Sequence, residues 1–180
     1  MSDCEPLIQK GFILRNVLTL LVLFILFFSL SNKTIRKYLF LILPILLTLS
    51  DNSDNYFLYT FDFARSLIPS KKNKCAKTFY YHQRDKISDS LGYLWTYLFL
   101  FFFLKSDPFL LFFVLYRILG VGFFSYTKDS AWLVVFFDFV KEYLLYLFVF
   151  GKNFTYLPFF IALKMVYEYL FHSIVNPSHY

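Results

Sequence analysis

Apolar residues in this chain gather into long runs, separated by short charged breaks such as SNKTIRK, KSDP, TKDS and GKN. A helix that crosses a bilayer needs about 20 mostly apolar residues, with about 17–25 tolerated. Six stretches approach that length: 11–30, 37–50 or longer, 87–104, 108–126, 131–150 and 154–175. They lack the period-two alternation of membrane strands. The expected fold class is therefore all-α, a polytopic transmembrane helical bundle of about six spans forming a single membrane domain over residues 1–180.

Local signals sharpen individual stretches. The second is short before Asp51, but YFLYTFDFARSLI follows and can continue the helix. Pro44 is expected to kink it without abolishing it, because neighbouring helices re-satisfy the freed carbonyl. Pro108 suits the first turn of the fourth helix, and Gly151 suits the C-terminal cap of the fifth. The first stretch has the look of a signal peptide, yet the later spans favour a retained anchor.

Composition supports this reading. The chain holds 27 Phe and 15 Tyr and is 58% hydrophobic, above the roughly 45–50% of a soluble domain. The net charge of +6 sits beside the apolar runs, where basic residues set orientation and attract anionic headgroups. No basic stripe stands apart from them, so the expected partner is the lipid bilayer and not nucleic acid; an oligomer remains open. With six crossings, Lys10, Arg65, Lys71, Lys72, Lys74, Lys77, Arg84, Lys86 and Lys128 fall on one side, and Lys33, Arg36, Lys37, Lys105 and Lys152 on the other. The excess places both termini in the cytoplasm. Cys4 and Cys75 form neither a CxxC pair nor a zinc spacing and are expected as free thiols.

Several charges lie within the runs, where each costs at least about 2.5–3.5 kcal/mol on insertion scales unless it faces a partner, a cavity or water. Arg15 sits near the start of the first run, where it is expected to snorkel. Arg117 is central in the fourth and needs carboxylates, carbonyls or water. Asp138, Lys141 and Glu142 are spaced to satisfy one another locally. Lys164, Glu168 and His172 share one helical face. This intramembrane polar network is either interhelical glue or a functional centre.

The most specific feature is a pair of acidic pairs, Asp51 with Asp54 and Asp85 with Asp89, at the facing ends of the second and third stretches. In helical form each pair presents both carboxylates on one face. Four converging carboxylates repel unless a cation lies between them, and Mg²⁺ or Mn²⁺ with phosphate oxygens meets that need. The metal would polarise a phosphoryl group while a carboxylate, Asp85 or Asp89, takes a proton. Arg65, Arg84, Arg117 and Lys164 are candidate phosphate contacts.

The arrangement resembles the CDP-alcohol phosphatidyltransferase family, whose signature is DxxDGxxAR, then a glycine, then DxxxD. DNSD (Asp51 to Asp54) and DKISD (Asp85 to Asp89) match its two acidic motifs, and Asn16 with Thr19 resembles its first-helix NxxT. Asn55 and Tyr81 stand where the family has glycine, and the two motifs lie farther apart here. The resemblance implies a six-helix membrane enzyme in which the four aspartates hold divalent metal, one of them acts as base on an acceptor alcohol, and the donor is a nucleotide-linked lipid. A plainer reading takes Asp51 and Asp54 as helix-end residues and Asp85 and Asp89 as favourable acids near a helix N-terminus. Three function classes follow: a metal-dependent phosphoalcohol transferase, a non-enzymatic multipass component, and a small transporter or channel using the buried stripe.

Overall fold

The computed structural model describes residues 5–65, 78–103, 107–129 and 131–170, with Leu7 and residues 51–65 described by backbone alone. Among the described residues every regular element is helical: α1 (Glu5–Ser29), α2 (Lys33–Arg65), α3 (Phe79–Phe103), α4 (Pro108–Thr127), α5 (Ala131–Val135), α6 (Val140–Phe150), a 3₁₀ turn (Phe154–Tyr156) and α7 (Leu157–Leu170). Two are long and apolar enough to cross a membrane by length and composition, Ile8–Ser29 with mean hydropathy 2.3 and Pro108–Thr127 with 1.9. Their most apolar windows are only 28% and 39% buried, whereas a soluble protein turns such helices into its core.

The packing of α1 shows why. Ile8, Gly11, Arg15, Thr19, Leu23 and Leu26 recur at helical spacing and are buried. Ile13, Val17, Leu21, Phe24, Ile25 and Phe28 point outward and are exposed. The helix thus hides an arginine and shows its phenylalanines. Soluble monomers rarely expose contiguous apolar patches beyond a few hundred Å².

Helix α1 lies against α2 and α3; α2 also meets α3 and α6, α3 meets α4, and α4 meets α5 and α6. The core between α2, α3, α4 and α6 is built from Leu39, Leu43, Leu47, Leu100, Phe113, Val114, Tyr143 and Leu144. Helix α7 rests on α5 and the 3₁₀ turn at the edge of the bundle. The start of α4 follows the sequence signal: Pro108 occupies its first turn and Asp107 caps it, accepting from the amides of Phe109 (3.0 Å) and Leu110 (3.2 Å). Gly151 ends α6 at φ +59°, in the left-handed region, with its amide on the Leu147 carbonyl at 3.0 Å.

Helix α2 continues through Pro44 and past Ser50 to Arg65, the longer of the two extents the sequence allowed, so the first acidic pair lies within a helix. Two elements differ from the sequence expectation. Helix α3 begins at Phe79, well ahead of its apolar run. The fifth stretch is not one helix: it breaks between Val135 and Val140. The cause of the break lies on α4. Gly120 lets the broken segment approach so closely that a Cβ there would stand 2.1 Å from the Phe136 Cβ. Arg117 Nη1 then donates to the Phe136 carbonyl at 2.9 Å, and the Tyr116 hydroxyl to the Val135 carbonyl at 2.6 Å. Side chains of α4 replace hydrogen bonds that a continuous helix would have made.

Candidate functional site

The described end of the α1–α2–α3 bundle gathers polar side chains from all three helices. Arg15 is 4% exposed. Its Nη1 donates to Asp85 Oδ1 at 2.9 Å, and its Nη2 to Asp89 Oδ1. The i,i+4 spacing of the aspartates on α3 turns both carboxylates toward the one guanidinium. Lys86 supports them from the same helix, 2.8 Å from Asp85 Oδ2 and 3.6 Å from Asp89 Oδ2. Burial lowers the Lys86 pKa, but the charges of Asp85 and Asp89 more than offset this and hold it above the ordinary lysine value.

Neighbouring contacts extend the cluster. Asn16 donates to Ser88 Oγ at 3.0 Å and to the Phe12 carbonyl at 2.8 Å. Thr19 and Ser50 share a hydrogen bond of 2.6 Å, which ties α1 to α2 one residue before Asp51. Asn16 and Thr19 of the first-helix motif therefore touch α3 and α2 respectively. Arg84 lies over the rings of Tyr80 (5.2 Å) and Phe12 (5.5 Å). It borders a crevice of about 10 Å³ beside Asp85 and Ser88, which is room for about one water.

A second polar group forms where the fifth stretch breaks. The Tyr93 hydroxyl donates to Asp138 Oδ2, and Asp138 Oδ1 accepts from the Val140 amide at 3.2 Å, opening α6. Lys141 lies 5.9 Å from the centre of the Tyr93 ring. Glu142 pairs with Lys164 of α7 at 2.5 Å, and Lys164 with Glu168 at 3.0 Å. Asp138, Lys141 and Glu142 were expected to satisfy one another locally; helical geometry is lost at 136–139, and Asp138 meets Tyr93 of α3 while Glu142 meets Lys164 of α7.

Of the expected site residues, Asp85 and Asp89 are brought together. Asp51, Asp54 and Arg65 are helical in backbone, and their side chains lie outside the described residues, as does His172. Arg117 is engaged by a carbonyl, as the sequence required of so deep a charge. Lys164 sits between two carboxylates, so its surroundings carry net negative charge and do not suit a phosphate. Arg15, Lys86, Ser50, Ser88 and Tyr93 were missed as site residues. The signal was only partial: an arginine in an apolar helix requires a counter-charge once its face turns inward, and the sequence of α1 alone does not fix that face.

The fit to divalent metal follows from the donor set. Among the described residues no three His, Cys, Asp or Glu side chains gather as ligands. Asp85 and Asp89 offer two carboxylates one turn apart, a set that Mg²⁺ accepts when water and phosphate oxygens complete its octahedron. Arg15 and Lys86 already balance these two charges.

A helical bundle with two helices long and apolar enough to cross a membrane, and with a buried cluster of acidic and basic side chains, is the class that fold and site define. No protein-family model matches the chain, and no curated protein or solved structure matches it.

Proposed function

We propose that the chain is a multi-pass integral membrane protein of about six spans, with both termini cytoplasmic, and that the end of its α1–α2–α3 bundle is a phosphoalcohol transferase site acting on lipid. The observation that carries this reading is the meeting of three helices at one cluster: Arg15, Asn16 and Thr19 from α1, Ser50 from α2, and Asp85, Ser88 and Asp89 from α3. Those are the helices that carry the NxxT, DxxD and DxxxD motifs. The exposed apolar faces of α1 and α4 support the membrane setting.

In this site Asp51, Asp54, Asp85 and Asp89 would hold Mg²⁺ or Mn²⁺, which supplies charge neutralisation on a phosphoryl group. Asp89, 5% exposed, takes the proton of an acceptor hydroxyl as general base. Arg15 and Lys86 neutralise and orient both α3 carboxylates. Arg84, at the rim, meets the phosphate of a nucleotide-linked donor. The test is Mg²⁺- or Mn²⁺-dependent transfer of the phosphoalcohol of a CDP-linked lipid to an acceptor alcohol in membranes, with the pyrophosphate bond broken and CMP released. Wild type is expected to be active and Asp85→Asn and Asp89→Asn inactive; equal rates in all three contradict the assignment.

One observation favours a second reading. The Arg15 bridge closes over both aspartates, and the adjacent crevice is small, as in a charge-neutral clamp that sets helix register without chemistry. A non-enzymatic multipass component would then lack transfer activity while depending on the same residues for stability.

A further inference from the structure

Away from the first cluster, α6 and α7 share an unbalanced set of charges. Lys164 of α7 lies 2.5 Å from Glu142 Oε1 on α6 and 3.0 Å from Glu168 Oε1, one turn further along its own helix. Two carboxylates meet one ammonium, which leaves an excess negative charge near the middle of two apolar stretches, 131–150 and 154–175, where charge is costly. The second oxygen of Glu142, Oε2, is buried and accepts no hydrogen bond. A proton on that oxygen cancels the excess.

The surroundings make Glu142 the member that takes it. Asp138, held by the Tyr93 hydroxyl of α3, adds a further negative charge acting on Glu142. Lys141 lies 5.9 Å from the Tyr93 ring centre, and Arg117 of α4 is engaged by the Phe136 carbonyl. Helix α2 also packs on α6 but carries no acid in its described side chains. Its bases Lys33, Arg36 and Lys37 lie at the end that meets Phe148 through Tyr38. Glu168 keeps Lys164 beside it whatever Glu142 does, because the two share one helix face.

Helix α7 is loosely held. Of its residues only Leu157 is buried. Rings fix its start, with Phe160 against Tyr146 (5.6 Å) and Phe150 (5.7 Å), while an open crevice of about 510 Å³ lies among Phe109, Leu157, Ile161 and Met165. Farther along, the Lys164–Glu142 pair is a polar tie from α7 to α6.

We propose that this pair is a proton-operated latch: ionised Glu142 holds the far half of α7 against α6, and a proton on its Oε2 releases it. Lys164 then pairs with Glu168 alone, and the group becomes neutral. The latch is closed above the titration of Glu142 and opens as pH falls through it. It does not depend on transfer chemistry, so loss of the transferase reading leaves it standing.

The test uses the full chain in detergent micelles, with Cys4 and Cys75 replaced by serine and nitroxides at Leu119 of α4 and Val166 of α7, both exposed. Double electron–electron resonance reads their separation from about pH 4 to about pH 9, a range that brackets carboxyl titration. One distance is expected at the alkaline end, with a second growing as pH falls. Glu142→Gln, which cannot ionise, is expected to show the second distance throughout. Glu168→Gln leaves Lys164 to Glu142 alone and is expected to move the change to lower pH; it keeps the test decisive if Glu142→Gln does not fold. A separation independent of pH in wild type, a Glu142→Gln that titrates like wild type, or a change in Glu168→Gln at the wild-type pH would overturn the latch.

Discussion

Replacing Arg15 with methionine removes the charge between Asp85 and Asp89 while keeping a side chain of similar reach. Arg15 is 4% exposed, Asp85 13% and Asp89 5%. Breaking a buried ion pair by deleting one partner costs about 3–5 kcal/mol, because the other charge is left uncompensated. Here two carboxylates lose a shared donor. Lys86 stays 2.8 Å from Asp85 but 3.6 Å from Asp89, so the greater loss falls on Asp89. An expected destabilisation of about 3 kcal/mol is a large share of the roughly 5–15 kcal/mol that holds a typical domain folded. The partner variant is Arg15→Met with Asp89→Asn, which removes one charge of each sign and leaves Asp85 paired with Lys86 at 2.8 Å. Removing both members of a buried ion pair is often neutral or stabilising, so the double variant is expected to recover most of the loss. Equilibrium unfolding in mixed micelles measures both. Equal stability of Arg15→Met and wild type, or no recovery in the double variant, refutes the clamp.

Other consequences follow from the same contacts. Gly120→Ala places a Cβ 2.1 Å from that of Phe136 and pushes the Phe136 carbonyl from Arg117; a loss of about 3 kcal/mol is expected by overpacking, read by the same unfolding assay. Tyr93→Phe deletes the donor to Asp138 and is expected to cost about 1.5–3 kcal/mol, as for a hydrogen bond to a charged group, whereas a loss below about 0.5 kcal/mol would deny that bond. The raised pKa of Lys86, which precedes the apolar run of α3, fixes a pH dependence. Its contribution is fully present below the unfolded lysine value and is lost as pH rises through the higher folded one. The stability difference between wild type and Lys86→Met should stay flat from about pH 6 to about pH 9 and shrink only above the ordinary lysine range.

What the sequence reveals and what it hides divide along physical lines. The start of α4 is legible because Asp107 and Pro108 act on their own turn, and so is the end of α6 at Gly151. The pairing of Asp85 with Asp89 is legible because helical spacing alone aligns them. Arg15 is not: whether an arginine near a helix start snorkels outward or bridges acids depends on which face turns inward, and that is decided by α3. The break at 136–139 is hidden for a similar reason. The run AWLVVFFDFVKEYLLYLF contains neither proline nor glycine, and its departure from helix depends on Gly120, Arg117 and Tyr116 across the interface.

The central claim is that this bundle turns its apolar side chains outward to lipid and its charges inward. Nitroxide labels at Phe24, Phe112 and Leu119, all exposed, test it directly in a chain reconstituted into vesicles with Cys4 and Cys75 replaced by serine. Collision with dissolved oxygen should be high and collision with a water-soluble nickel chelate low at all three positions. Ready access of the chelate to these positions would contradict the account.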